Sequence, residues 1–163
     1  MVRYLEVDSP VGPLRPLLVL SRNDKLTRLE FTGQPHAHGI PESAQRGGPF
    51  LANVAEQLKQ YFEALRRDFD VAISLDGTDF QKSVWKCLRE IPWGETRSYG
   101  ELADSLSNPA ASRAVGAANG RNPISIIVPC HRVVGSDGAI TGYAGGPDNK
   151  RWLLRHETSK LYI

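Results

Sequence analysis

One stretch restricts this chain more than any other: Ile124-Ser125-Ile126-Ile127-Val128-Pro129-Cys130-His131-Arg132-Val133-Val134. So many apolar, mostly β-branched residues must be taken out of water, and their type favours extended backbone, so the run predicts a short buried strand. Pro129 cannot donate to a ladder, which stops the strand and sets Cys130 where the backbone leaves the sheet. A free thiol titrates near about 8.5 and only its thiolate is a strong nucleophile, so His131 and Arg132 are the kind of neighbours that activate one. Taken alone, the pair reads more readily as a packing thiol, because buried cysteines commonly serve as small hydrophobes. Adjacent residues in extended chain also point to opposite sides, so a water is expected to bridge Cys130 and His131.

Context has to come from the rest of the chain. Its 163 residues, 40% hydrophobic and 23% charged, suit a folded protein with a real core. No window approaches the roughly 18 continuous apolar residues of a membrane span, and Met1-Val2-Arg3-Tyr4-Leu5-Glu6 lacks a signal peptide's apolar centre. A cytoplasmic protein without a membrane partner is expected. Cys87 and Cys130 make at most one disulfide, and His36 and His38 sit in a polar loop without partners, so no metal is expected. The formal net charge is +2, but residues 1–78 carry nine Lys and Arg against ten Asp and Glu, and residues 79–163 carry eleven against eight. The second half is therefore the better nucleic-acid candidate, and with few phosphates neutralised, recognition has to lean on shape and apolar insertion.

Strand-like runs at 2–8, 14–20 and 25–31 are punctuated by Pro10-Val11-Gly12-Pro13 and Arg22-Asn23-Asp24, with Pro16 marking an edge or bulge. From Gly33 to Gly48 the composition predicts a mobile surface connection. Phe50, Leu51, Val54, Leu58, Tyr61, Phe62 and Leu65 recur at helical spacing, giving a helix from about Pro49 to Arg66, and alternation of Phe69, Val71, Ile73 and Leu75 predicts another strand. Thr78-Asp79-Phe80-Gln81 and Ser98-Tyr99-Gly100-Glu101 have capping-box spacing and start two helices. Cys87, in the first of these, reads as a packing thiol. Asn108 and Pro109 begin a third helix running to about Ala118. Its residues Ala110, Ala111, Ser112, Ala114, Val115, Gly116, Ala117 and Ala118 are too small to read a wide groove, and Arg113 is the one long side chain among them. Such a surface suits either a narrow minor groove or tight packing on a neighbour. A last helix is expected from Pro147 to about Glu157, with Trp152, Leu153 and His156 buried.

From Phe80 to Glu157, about half the chain, the sequence resembles the O6-alkylguanine-DNA alkyltransferases. The resemblance is carried by Pro129-Cys130-His131-Arg132-Val133, Arg97-Ser98-Tyr99-Gly100, Ser112-Arg113-Ala114-Val115-Gly116, Asn122-Pro123 and Gly142-Tyr143-Ala144-Gly145-Gly146, in the family's order. It implies an α+β fold in which a small antiparallel sheet-plus-helix domain (1–78) precedes a mainly helical, winged-helix-like helix-turn-helix domain (79–163) carrying the active-site cysteine. It implies repair of O6-alkylguanine, and of O4-alkylthymine, by irreversible transfer of the alkyl group to Cys130 after base flipping. The implied catalytic set is Cys130, His131, Glu157, Tyr99 and Asn122, with Glu157 holding the histidine's tautomer and Asn122 tying the recognition helix to the active-site strand. Arg113, Tyr99, Ser98, Ala114 and Ala118 are the implied contacts to duplex DNA through its minor groove, by a monomer. The implied pocket is made by Val133, Tyr143, Ala144, Ser125 and Trp85, with the carbonyls of Cys130 and Val133 and the amide of Ala144 meeting guanine. No cofactor is implied, and the cysteines with which some relatives bind zinc are absent. Rival readings are an alkyltransferase-like protein that binds damage without removing it, a cysteine hydrolase using Cys130, His131 and Glu157, and a helix-turn-helix transcription factor.

Overall fold

Two neighbouring residues in left-handed conformation, Asn23 (φ 51°) and Asp24 (φ 56°), fold the N-terminal sheet back on itself. Asn and Asp tolerate that region, and a two-residue turn of this hand matches the twist of the strands it joins. The chain is described here from a computed structural model covering residues 1–10 and 16–158. Strands β1 (Val2–Val7), β2 (Leu17–Arg22) and β3 (Lys25–Phe31) form an antiparallel meander, and a two-residue β4 (Gln45–Arg46) adds to β1 in parallel, giving the order β3-β2-β1-β4. The expected Val11-Gly12-Pro13 turn and the start of the second strand at Leu14 lie outside the described residues. Leu17, Val19, Leu26, Leu29 and Phe31 are fully buried beneath helix α1 (Pro49–Phe62), whose Leu51, Val54, Leu58 and Tyr61 make the facing stripe.

α1 stops four residues short of the expected Arg66. Ala64 turns left-handed (φ 59°) and the Leu65 amide returns to the Gln60 carbonyl at 2.8 Å, closing the helix and leaving Leu65 exposed. The strand expected at 69–75 is also absent. That segment runs extended but touches the sheet at one bridge, Leu26 to Ile73, and buried Gln57 satisfies both the amide and the carbonyl of Asp70 at 2.9 Å, as a strand neighbour would. The 33–48 connection lies on the surface, as expected, yet it is tethered. Buried Glu30 accepts hydrogen bonds from the amides of His38 and Gly39, and β4 pairs with β1.

The second half is helical. α2 (Asp79–Arg89) and α3 (Tyr99–Ser105) both start in complete capping boxes, at Thr78 with Gln81 and at Ser98 with Glu101. Asn108 makes no side-chain cap. Pro109–Ala111 forms a 3-10 turn instead, and α4 (Ser112–Gly120) follows it against α2 and α3. α5 (Pro147–Glu157) closes the chain.

The run that most constrains the sequence is buried, as expected, but it is not a strand. Residues 124–128 are a knot of tight turns with Ile126 left-handed (φ 70°), pairing with β3 only through Leu29 and Ile124. Asn122 explains why. Its amide donates to the carbonyls of Val128 (2.8 Å) and Ile124 (3.3 Å) and its oxygen accepts from the Ile124 amide (3.0 Å), so one buried side chain takes the place of a ladder. Burial needed the apolar residues; it did not need them extended. Cys130 accordingly opens a 3-10 turn (Cys130–Arg132) that leads into β6 (Val133–Val134), paired in parallel with β5 (Arg97–Ser98).

Replacing Asn122 with alanine strands buried backbone groups at a cost of about 1–3 kcal/mol each. Asn122→Ala is therefore expected to lose on the order of 3 kcal/mol of stability in denaturant unfolding, and a loss below about 1 kcal/mol would show that these turns hold themselves.

Candidate active site

A carboxylate buried among its donors organises the site. Glu157, at the end of α5 and 4% exposed, accepts from Arg132 Nε at Oε1 (2.7 Å) and from Arg132 Nη2 (2.9 Å), His131 Nε2 (2.9 Å) and Tyr61 Oη (2.6 Å) at Oε2. Arg132 also donates Nη1 to the Ile91 carbonyl at 2.6 Å, so its planar fork is fixed on both sides. Burial alone would raise the Glu157 carboxyl, but His131 and Arg132 together hold it well below the usual carboxylate range.

An ionised carboxylate only accepts, so His131 Nε2 carries the proton it gives to Glu157 and Nδ1 is left with a lone pair. Nδ1 is buried and has no hydrogen-bond partner. Burial pushes the imidazole below its ordinary value against the pull of Glu157, which keeps that lone pair available at neutral pH.

Cys130 is 3% exposed, with its thiol pushed up by burial and pulled back by Asn122 and by the charge of Lys150. Because Cys130 and His131 share a 3-10 turn, the alternation of extended chain does not govern where they point. Among the described residues no hydrogen bond joins thiol and imidazole directly. Lys150, fully buried, donates Nζ to the Thr141 carbonyl at 2.8 Å, and burial pushes its ammonium down to about 8 against the opposing pull of Cys130.

The expected pocket residues separate into groups. Tyr143 is half-buried with its hydroxyl enclosed and unpartnered, its ring meets Phe31 edge-on at 6.3 Å, and Gly145 leaves room for both, since a Cβ there would lie 2.6 Å from Tyr143 Cε2. Tyr143 and Ala144 line a cavity of about 430 Å³ with Phe31, Gln34 and Asn149. Ser125 and Val133 are buried and do not line it. Trp85 belongs elsewhere: it is 1% exposed and donates Nε1 to the Ala118 carbonyl at 2.9 Å, so it packs α2 on α4 as part of α2's apolar face. The Cys130 carbonyl already accepts from Asn119 Nδ2 (3.3 Å) and from the Val133 amide, so a guanine edge would have to share it.

On α4, Arg113 and Ala114 are exposed while Ala118 is buried against Trp85, so Ala118 is no surface contact. The helix period turns it inward with Val115. Ser98 spends its hydroxyl capping α3, and half-buried Tyr99 lies over Gly116, its hydroxyl accepting from Thr141 at 3.2 Å. In α5 the buried stripe is Asn149, Lys150, Leu153, Leu154 and Glu157, whereas Trp152 and His156 stack on each other half-buried. Cys87 is half-buried, with its thiol raised by burial, as suits a packing residue. Among the described residues no three His, Cys, Asp or Glu side chains group as a metal site would need, and no helix is long and apolar enough to cross a membrane.

Sequence reasoning missed Tyr61, Lys150 and Asn119, and it treated Arg132 only as a generic activator. For Lys150 a signal existed: positions 150, 153, 154 and 157 share one helical face, so an aliphatic stripe containing a lysine and a glutamate pointed to two buried charges.

Residues 79–159 match the family model for the 6-O-methylguanine DNA methyltransferase, DNA binding domain. A methylated-DNA–protein-cysteine methyltransferase of Mycobacterium tuberculosis is 49% identical over 161 residues, covering 98% of this chain and 94% of its own. One from Methanosarcina acetivorans is 47% identical over 156 residues, covering 96% and 98%. The crystal structure of Mycobacterium tuberculosis OGT in complex with DNA superposes with a TM-score of 0.87 at 45% identity, covering 99% of this chain and 96% of that one.

The charge set has a consequence for stability. A carboxyl whose folded value is depressed stabilises the fold above its unfolded value, near about 4.3, and that contribution is lost as pH falls toward the folded value. Glu157→Gln leaves Arg132 buried without its counter-charge and is expected to cost roughly 3–5 kcal/mol at pH 7. Urea unfolding from pH 7 to pH 3 should show the gap between variant and parent narrowing below about pH 4.3; a gap independent of pH would mean that Glu157 is not held ionised by its neighbours.

Proposed function

We propose, since the chain belongs to the methylated-DNA–protein-cysteine methyltransferase family, that it repairs O6-alkylguanine, and O4-alkylthymine, in duplex DNA by a single displacement onto Cys130. The observation that carries this reading is the unpartnered, buried Nδ1 of His131, fixed in its tautomer by Glu157 in the turn that Cys130 begins. The Cys130 proton passes to that nitrogen, through a bridging water. The thiolate then attacks the O6 alkyl carbon: a carbon–sulfur bond forms, the carbon–O6 bond breaks, and guanine takes the electron pair together with a proton from Tyr99. Lys150 supports the developing thiolate with positive charge, and Asn122 shapes the turn that holds it. The thioether product offers no leaving group to a second nucleophile, so each molecule reacts once and no cofactor is consumed.

A base inside a duplex is out of reach of a thiol buried in this way, so the nucleotide has to be flipped. Exposed Arg113, on the small-residue face of α4 with Ala114, is the side chain to fill the gap from the minor groove, and Tyr99 and Ser98 at the start of α3 lie on the flipped strand's path. Residues 1–78 act as a supporting domain and 79–163 as the reacting one, in a cytoplasmic monomer. Retention of Cys130 argues against a protein that only flags damage. A cysteine hydrolase would use the same three side chains but turn over repeatedly.

Incubation with duplex containing O6-methylguanine is expected to add one methyl group to the intact protein, on the peptide holding Cys130, and none to Cys130→Ser. Methylation at Cys87, or catalytic turnover without a modified protein, would sink the reading.

Arg113→Ala is expected to slow repair in duplex DNA by on the order of 100-fold or more while changing reaction with free O6-alkylguanine base little, because only the duplex requires flipping. Equal losses on both substrates would place Arg113 in the pocket or the fold.

A further inference from the structure

Among the described residues, Tyr61 is the only one before residue 79 that hydrogen-bonds Glu157. It sits in the last turn of α1, fully buried, with its ring edge-on to Trp93 (5.4 Å) and His156 (5.1 Å) and tilted on Phe69 (5.5 Å). His156 Nε2 lies 2.6 Å from the Tyr61 carbonyl, so the backbone is pinned as well as the ring. Phenylalanine would fill this space equally well, and an unneeded hydroxyl is costly to bury. The hydroxyl is there, at 2.6 Å from Oε2.

We propose that Tyr61 is a positioning residue of the alkyl-transfer site: its hydroxyl shares Glu157 Oε2 with His131 Nε2, fixing the carboxylate's orientation and taking up part of the charge His131 would otherwise feel. The inference rests on the reading of His131 as the base for Cys130. Oε2 receives Tyr61, His131 and Arg132, more donors than it has well-directed lone pairs, so the three compete. The phenol remains a donor at every working pH, since burial and then Glu157 push it well above its ordinary value.

The ionisable groups facing the His131–Glu157 pair are Tyr61 from α1, Arg132 from the same turn, Lys150 from α5, Tyr143 from the loop before it, and the Cys130 thiol. Arg132 and Lys150 disfavour a proton on His131, whereas Glu157 favours one. With the Tyr61 hydroxyl gone, Glu157 directs more of its charge at the imidazole, which then takes up a proton at higher pH. A protonated His131 cannot accept the Cys130 proton.

The test is the pH profile of the single-turnover rate for Tyr61→Phe against the unsubstituted protein on O6-methylguanine duplex, with the Cys130 adduct followed by mass. The acidic limb should move to higher pH by about half to one unit, with the rate at any pH on that limb about three- to tenfold lower and the two curves converging above it. Titration of the His131 ring protons by NMR in the Cys130→Ser background should move in the same direction. A uniform fall with an unmoved limb, an unchanged rate, a shift to lower pH, or a variant that does not fold would overturn the inference, each assigning the hydroxyl a structural role or none. If the unsubstituted protein acquires no alkyl group, the reading of the reaction fails, which the Tyr61→Phe comparison does not decide.

Discussion

Glu157 is a charge that this fold has to keep satisfied. A carboxylate at 4% exposure is tolerable only if its lone pairs are filled, and the donors come from two places, Tyr61 in α1 and His131 with Arg132 in the turn after Pro129, while Glu157 itself stands at the end of α5. Each of those elements is fixed by its own local means. α1 lies on the sheet through Leu51, Val54 and Leu58; α5 begins at Pro147 after a left-handed Gly146; the turn is shaped by Asn122. The carboxylate fixes their relative placement, because a shift of any one leaves a buried charge without a partner.

The same constraint explains why Cys130 sits in a turn. A strand would have tied the 124–130 backbone to neighbours on both sides and set successive side chains on opposite faces. Tight turns around Asn122 leave the backbone satisfied from within, and the 3-10 geometry at 130–132 lets Cys130, His131 and Arg132 follow one another around a single axis. His131 and Arg132 can then both reach Glu157 although they are adjacent in sequence.

The helices were the legible part of the sequence, because their signals are local. Both capping boxes form at the residues that spelled them, and the amphipathic spacing of α1 placed Leu51, Val54, Leu58 and Tyr61 in the core, though not Leu65. The strands at 69–75 and 124–128 were misread for one reason: alternating or continuous apolar residues report burial, while a ladder requires a partner elsewhere in the chain. Asn122 and Gln57 supply those hydrogen bonds from side chains, and nothing in the spacing announces that. Trp85 and Ala118, assigned to pocket and DNA surface, face each other across α2 and α4, a pairing over a separation of 33 residues that no local pattern reveals. Tyr61 was counted as core, and it is core; its hydroxyl acquires a role only because Glu157 lies 96 residues later.

Burial of Cys130 raises its thiol, which looks at first like the wrong direction for a nucleophile. It is the right one for a group that can be used once. A thiolate standing free at neutral pH would react with any electrophile or oxidant that reached it, and each such event would remove a molecule from service. Held protonated in a water-poor site with the charge of Lys150 near it, the thiol needs, in the proposed reaction, only a proton acceptor such as His131 Nδ1 reached through a water to become reactive. That redistribution is favourable when a substrate supplies the electrophilic carbon and takes the electron pair away, so the burial that lowers resting reactivity also confines the reaction to the occupied pocket.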